Sequence, residues 1–250
     1  MTITPQTKPI VYPDSDGQPM ADNTKQFRWI VTIKENLEYL FRQDERVFVA
    51  GDLLWYPVEG RPDIRTAPDV MVVFGRPKGD RGSYKQWQED NIAPQVVFEV
   101  LSAGNTIREM NRKLFFYNHY GVEEYYIYDP DSNQLEGLQR QGEGLRQVEE
   151  INGWVSPRLG IRFELTAETL NLYDPQGEVF LTPVQIRERA EQERHRAEQE
   201  RLRAEQEAQR AEQERLRAEQ EAQRAGQEKL RADRFAAKLR ELGLDPDTIV

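Results

Sequence analysis

The chain has 250 residues, of which 38% are hydrophobic and 31% charged, with a formal net charge of -10. It contains no cysteine, which excludes disulfides, thiolate zinc sites and cysteine nucleophiles. Residues 1–182 carry a formal charge of -9. That balance argues against tight, sequence-blind DNA binding, but it suits a site that gathers carboxylates around a cation.

Neither a secretory leader nor a membrane span is expected from this sequence. The first residues lack an apolar core of signal-peptide length, and no run of about 18 apolar residues exists. Residues 1–22, rich in proline, aspartate and glycine, are predicted to form a flexible lead-in. We therefore expect a cytoplasmic protein.

Helical and strand patterns alternate through residues 23–180, which are predicted to form one domain. In chain order the pattern first predicts a helix from Asn23 or Thr24, strands at 47–55 and 69–74, a polar loop at 75–94 and a strand at 95–101. A second helix follows, capped by Asn105 or Thr106 and ended by Gly121. Strands at 124–128, 134–139 and 145–149 and a closing segment at 156–173 complete the domain. This order indicates an α/β or α+β fold.

Residues 183–243 are predicted to form one long charged helix, followed by a tail at 244–250. Thr182, Pro183 and Gln185 form a capping pattern at its start, and a seven-residue unit repeats from Ala190. Acid–arginine pairs at helical spacing, each contributing roughly 0.2–0.5 kcal/mol, could hold a solvated single helix. A weak coiled coil, which would make the protein a homo-oligomer, is the alternative.

Glu99 lies inside an apolar run that is typical of a strand buried on both faces. An ionised carboxylate there needs a salt bridge, hydrogen bonds or a metal ion to compensate for its burial. A glutamate paired with an arginine at a strand end is the purely structural alternative.

Asp69 opens the preceding apolar strand, directly after Pro68. Alone it is ordinary turn chemistry. Two acids on adjacent buried strands, however, suit a hard divalent cation such as Mg²⁺ or Mn²⁺. Such an ion stabilises charge on a scissile phosphate and lowers the pKa of an attacking water.

Lys113 lies on the helix that follows the Glu99 strand. Near two carboxylates, a lysine could orient or deprotonate water, or neutralise charge that develops on a phosphate. A solvent-facing lysine is the alternative.

The globular part resembles a known family. The residues that carry the resemblance are Pro68-Asp69, Val97 to Ser102 around Glu99, Lys113, Tyr117, Gly121-Val122, Tyr125 and Asp129-Pro130. This pattern, over roughly residues 20–175, is similar to the Uma-type family of "putative restriction endonucleases" in the PD-(D/E)XK nuclease superfamily.

The resemblance implies a restriction-endonuclease-like mixed sheet flanked by helices, with Mg²⁺ held by Asp69 and Glu99. The superfamily lysine usually stands two residues after the second acid, where this chain has Leu101, so Lys113 takes its place. Ser102-Ala103-Gly104 and Glu109 also depart from the family pattern. The implied function is metal-dependent endonucleolytic hydrolysis of DNA.

Supporting residues around this site are left open by the sequence. The resemblance to the superfamily implies that an acid from the first helix sometimes assists, and Glu35 or Glu38 could serve. Asp52 could support the metal ligands from outside. The basic loop from Arg76 to Lys85 could contact a phosphate backbone, although a mobile solvated loop is the simpler interpretation.

Two further hypotheses remain beside the nuclease. In one, the fold is retained but the site is idle, and the helical tail recruits partners or assembles copies. In the other, the tail dimerises an active nuclease so that two sites cut two strands.

Overall fold

The computed structural model describes residues 10–15, 17 and 20–243. The predicted tail at 244–250 and much of the predicted lead-in, residues 1–9, 16, 18 and 19, lie outside the described part. The chain divides into two compact units, with the boundary between Ile186 and Arg187.

The first unit is an α+β fold built on one six-stranded mixed sheet. Its elements in chain order are α1 (Thr24–Leu40), β1 (Val47–Gly51), β2 (Trp55–Tyr56), β3 (Val70–Phe74), β4 (Tyr84–Lys85), a 3-10 turn (Gln86–Gln88), β5 (Val96–Val100), α2 (Ile107–His119), β6 (Glu124–Asp129), β7 (Gln134–Gln141), β8 (Gly144–Gln147), β9 (Arg162–Leu165) and β10 (Leu170–Tyr173). The strand order in the main sheet is β1-β3-β5-β6-β7-β8.

Only one pair of neighbouring strands in this sheet is parallel. β5 pairs with β6 in parallel, with α2 as the connection, whereas the other neighbours are antiparallel. Two small sheets, β2 with β4 and β9 with β10, complete the unit.

Each face of the sheet carries its own hydrophobic core, as the alternation of side chains along a strand requires. On one face, α1 packs Ile30, Ile33 and Leu37 against strand residues such as Val72 and Phe98. The other face carries the cluster of Met71, Val97, Tyr117, Tyr125 and Trp55, to which α2 contributes. Residues of odd number in β5 therefore face α2.

Local signals at the helix ends were predicted correctly. Asn23 caps α1 by accepting from the Lys25 and Gln26 amides, and Thr106 caps α2 by accepting from the Glu109 amide. Gly121 follows α2 with a φ of 92°, a conformation that suits glycine.

The prediction of one continuous strand over residues 47–55 is wrong. β1 ends at Gly51 because Asp52 has a φ of 47°, and its amide donates to the Pro68 and Asp69 carbonyls. The chain then turns into the separate strand β2 at Trp55.

The loop at 75–94 is also more ordered than predicted. It contains β4 and the 3-10 turn, and its arginines form ion pairs with acidic side chains. Arg76 and Arg81 both bind Glu89, at 2.9 and 2.7 Å, and their side chains are only 14% and 12% exposed. These arginines stabilise the loop through Glu89, so the interpretation of residues 76–85 as a mobile solvated loop is corrected.

The second unit is dominated by one helix, α3 (Pro183–Glu241), of 59 residues. Thr182 and Gln185 form the predicted reciprocal cap at its start. No residue of α3 is buried in the chain. The helices within residues 10–15, 17 and 20–243 include none with the length and hydrophobicity of a membrane-spanning segment.

Candidate active site

Asp69 and Glu99 are brought together by strand register. Val70 pairs with Phe98 in the antiparallel ladder of β3 and β5, so the next positions outward, Asp69 and Glu99, stand opposite each other. Directly opposed residues have Cβ atoms about 5 Å apart and point to the same face. The two carboxylates therefore share the face of the sheet that carries α2.

Both acids are buried. Glu99 is 2% exposed and Asp69 is 9% exposed. Burial raises the pKa of Asp69 well above its usual range, and the nearby charge of Glu99 raises it further. The Lys113 charge and the hydrogen bond from the Val100 amide to Asp69 Oδ2, 2.6 Å long, act in the opposite direction.

Lys113 provides the positive charge of the site. Its Nζ donates to Glu99 Oε2 at 2.7 Å, and its side chain is 14% exposed, so it is not a solvent-facing lysine. Burial lowers the pKa of Lys113, but the charges of Glu99 and Asp69 outweigh that effect and the net shift is upward. The side chain is therefore an ammonium donor in this arrangement.

Two tyrosines complete the cluster, and sequence reasoning did not identify either as a site residue. Tyr117 donates to Glu99 Oε1 at 2.5 Å, and Tyr125 packs against the Tyr117 ring at 5.0 Å between centroids. The Tyr125 hydroxyl is the one buried side-chain polar atom within the described chain that has no hydrogen-bond partner. Burial, followed by the charges of Glu99 and Asp69, raises the pKa of Tyr125.

The spacing of Tyr117 from Lys113 in the sequence could have identified Tyr117 as a site residue. Lys113 and Tyr117 are four residues apart on α2, so their side chains reach the same point on the sheet. Tyr125 stands opposite Val97 in the parallel register of β5 and β6, on the same face as Glu99. Residue type alone does not single out Tyr125, because a tyrosine in a buried strand is usually part of the core.

The other candidates are placed differently. Asp52 is close enough for its charge to raise the pKa of Asp69, after the larger effects of burial and of Glu99, and its amide binds the Asp69 carbonyl. Glu35 and Glu38 instead form ion pairs with Lys34 on α1. In the described part of the chain, no hydrogen bond or ion pair joins either glutamate to Asp69, Glu99 or Lys113.

The cluster fits a divalent cation by its donor set, although the described residues include no group of three or more acidic, histidine or cysteine side chains arranged as a metal cage. Mg²⁺ is commonly bound through one or two carboxylates and keeps several waters. Two buried, like-charged carboxylates beside an unpartnered hydroxyl leave charge and hydrogen-bonding capacity that a hydrated ion can use. Asp69 and Glu99 are the residues that would hold it.

Tyr117→Phe is expected to destabilise the protein by about 1–3 kcal/mol, because Glu99 Oε1 loses its donor while it stays buried. Tyr125→Phe is the matched control, since it removes a hydroxyl without a partner and should be neutral or stabilising. Chemical denaturation of both variants measures the difference. Equal losses of stability would contradict the assignment of Tyr117 as a Glu99 partner.

No curated protein matches the chain. One solved structure, described as a "putative nuclease belonging to DUF820 from Anabaena variabilis ATCC 29413", is similar at 15% identity and a TM-score of 0.41, covering 60% of this chain and 84% of that one. A likeness of that extent leaves the function to be argued from the site.

A family model matches more than half of the chain. It covers residues 15–172 and is described as "Uma2: Putative restriction endonuclease". That span contains α1, the main sheet and every residue of the Asp69–Glu99–Lys113 cluster. The chain therefore belongs to the Uma2 family of restriction-endonuclease-like proteins.

Proposed function

We propose that this protein is a divalent-metal-dependent endonuclease that hydrolyses phosphodiester bonds in DNA. The observation that carries the proposal is the pairing of Asp69 and Glu99 on adjacent strands, with the Lys113 ammonium 2.7 Å from Glu99. Membership of the Uma2 family supports a nuclease. The proposed catalytic unit is residues 23–180, and we propose that it acts in the cytoplasm.

Asp69 and Glu99 are the proposed ligands of Mg²⁺ or Mn²⁺. When bound, such an ion supplies positive charge against a scissile phosphate and makes water more acidic. The carboxylate of Asp69 is held in place by the Val100 amide, and that of Glu99 by Lys113 and Tyr117. These bonds fix the direction in which the free lone pairs point, which is what a rigid ligand set requires.

Lys113 is the proposed electrostatic residue for the reaction. Its ammonium has three donors, of which one is used by Glu99, so the others can bind a non-bridging phosphate oxygen. Negative charge that develops on the phosphate during hydrolysis would be stabilised at this point. The buried site strengthens that interaction because water does not screen it.

The proposed substrate contact is a cleft along β1, whose lining does not include Asp69, Glu99 or Lys113. The cleft, of about 380 Å³, is lined by Gly51 and Leu53 and by the cations Lys34, Lys78 and Arg81. Gly51 stands next to the Asp69 backbone, since a Cβ at position 51 would lie 3.4 Å from the Asp69 carbonyl oxygen. The basic side chains of the cleft are partly neutralised by Glu38 and Glu89. We therefore expect binding to depend on the metal more than on a broad positive surface.

One observation favours a second candidate, a catalytically idle module that retains the nuclease fold. Both oxygens of Glu99 already have protein partners, Tyr117 and Lys113, as in a purely structural network. In that case the protein would bind or assemble partners without cutting DNA.

Nicking of supercoiled plasmid separates the two candidates. Purified full-length protein is incubated with Mg²⁺, with Mn²⁺ and with a chelator, beside Glu99→Gln and the exposed-site control Glu168→Gln. The nuclease predicts metal-dependent nicking that Glu99→Gln loses and Glu168→Gln keeps. Equal nicking by Glu99→Gln, or nicking that survives the chelator, would overturn the proposed site.

A further inference from the structure

The exposed helix α3 carries six consecutive seven-residue repeats between Ala190 and Arg231. None of its residues is buried, and Leu202, Leu216 and Leu230 are 46%, 47% and 54% exposed. Leucines recurring every fourteen residues on a solvated helix have no partner within the described chain. The neighbouring positions of the repeat indicate which kind of partner would bury these leucines.

The leucines belong to one narrow stripe. The third and sixth positions of each repeat are separated alternately by three and four residues, which places them on one face of a helix, as the a and d positions of a coiled coil are. The third position is always glutamine (Gln192, Gln199, Gln206, Gln213, Gln220, Gln227). The sixth position alternates between polar and apolar residues (His195, Leu202, Gln209, Leu216, Gln223, Leu230).

The stripe is flanked by opposite charges on its two sides. The second position of the repeat is glutamate in five repeats (Glu191, Glu198, Glu205, Glu212, Glu219). The seventh position is arginine in all six (Arg196, Arg203, Arg210, Arg217, Arg224, Arg231). These are the g and e positions, which set partner choice and orientation in coiled coils.

That layout distinguishes two orientations of a second copy. In a parallel, in-register pair, a second-position residue faces the seventh-position residue five places later in the other helix, so Glu198 faces Arg203 of the other copy. In an antiparallel pair, glutamate faces glutamate and arginine faces arginine. The charges therefore favour the parallel pair and oppose the antiparallel one.

The arginines are available for such contacts. Ion pairs within α3 join second-position glutamates to fifth-position arginines, as in Glu198–Arg201 and Glu212–Arg215, each at 2.8 Å. Within the described part of the chain, no ion pair engages a seventh-position arginine. The glutamates can exchange partners because these surface pairs are weak and exposed.

We propose that α3 is a self-association segment, through which two copies of this chain form a parallel, in-register coiled coil. Glutamine layers weaken the seam, but polar residues at such positions favour one register. The dimer is therefore weak and sensitive to salt. In each copy the helix follows the globular part of the chain. Parallel pairing therefore holds two globular parts at the same end of the coiled coil. The inference does not depend on the proposed nuclease activity.

Charge reversal tests the flanking contacts in the full-length protein. One triple variant combines Glu198→Arg, Glu205→Arg and Glu212→Arg, and the other combines Arg203→Glu, Arg210→Glu and Arg217→Glu. Sedimentation at low salt is expected to give twice the chain mass of 29.3 kDa for the wild type and the single mass for each variant. Mixing the two variants should restore the dimer. Circular dichroism checks that both variants keep their helix.

Single cysteines test orientation and register, since the chain has none of its own. His195→Cys and Gln223→Cys are 28 residues apart, or about 42 Å along a helix. In an in-register parallel dimer, each variant forms a disulfide with its own copy under mild oxidation. Ala211→Cys, on the opposite side of the helix, is the control that should stay monomeric on a denaturing gel.

The outcomes decide the proposal. Cross-linking at both stripe positions but not at position 211 supports it, as does recovery of the dimer on mixing. A monomeric wild type at all accessible concentrations would overturn it. Cross-linking at only one of the two stripe positions, or dimers that survive either charge reversal, would overturn the parallel register.

Discussion

Lys113→Met is expected to destabilise the protein by about 3 kcal/mol at neutral pH, because it leaves a buried carboxylate without its counter-ion. Methionine keeps most of the length of the side chain, so the loss measures charge more than packing. Glu99 is 2% exposed and has its ion pair with Lys113 at 2.7 Å, which makes solvent a poor substitute. Urea unfolding at pH 7 gives the difference in the free energy of unfolding.

The pH dependence of this variant has a definite sign. Lys113 lowers the pKa of Asp69, which burial and Glu99 hold above its ordinary value. Removing Lys113 therefore raises that pKa further. A raised folded-state pKa means that the folded protein binds protons more tightly, so stability falls as pH rises from about 4 through the folded-state pKa. The fall should extend to higher pH, and be larger in total, in Lys113→Met than in the wild type.

The double variant Glu99→Gln/Lys113→Met is the control. With the carboxylate and the ammonium both removed, most of the lost stability should return. A Lys113→Met protein as stable as the wild type at pH 7 would show that Lys113 is not the counter-ion of this site.

Asp69→Asn is expected to reduce DNA cleavage by about 10³-fold or more and, at the same time, to stabilise the fold. The loss of activity follows from the proposal that Asp69 is a charged metal ligand, since such a group contributes several kcal/mol to the transition state. The gain of stability follows from removing a buried charge beside Glu99. Asparagine can still accept the Val100 amide through its side-chain oxygen. Functional sites often carry such a cost in stability.

Two measurements on this variant check the two effects independently. Cleavage rates at saturating Mg²⁺ test the first. Thermal unfolding between pH 4 and neutrality tests the second, because the wild type loses stability as pH rises through the raised pKa of Asp69, whereas the variant lacks that loss. Asp63→Asn, at an exposed ion pair with Arg61, is the control for both. A less stable Asp69→Asn protein would contradict the electrostatic account of the site.

The pairing of Asp69 with Glu99 could be predicted from sequence because both acids interrupt or open short apolar runs. A carboxylate in such a run has to be compensated, whichever partner does so. The sequence left a salt bridge, hydrogen bonds or a metal ion as ways to compensate Glu99, and in the structure Lys113 and Tyr117 contact it. The contact between Lys113 and Glu99 depends on how closely α2 packs against β5, and a local sequence pattern does not predict that distance.

Other features depended on backbone conformation that residue type does not specify. β1 ends at Gly51 because Asp52 has a positive φ. Aspartate can adopt that conformation, but the presence of an aspartate does not predict it. The role of Arg76 and Arg81 depends on Glu89, which follows them in the loop by 13 and 8 residues. Tyr125 belongs to the site only because parallel pairing of β5 and β6 places it there.

Titration of the full-length protein with Mn²⁺ tests the central claim most directly, since metal binding needs no knowledge of a recognition sequence in DNA. Calorimetry is performed on the wild type, on Asp69→Asn, on Glu99→Gln and on the control Glu168→Gln. We predict binding to the wild type and to Glu168→Gln, and its loss in both site variants. Binding that is unchanged in Asp69→Asn and Glu99→Gln, or no binding to the wild type, would contradict a metal centre at these two carboxylates.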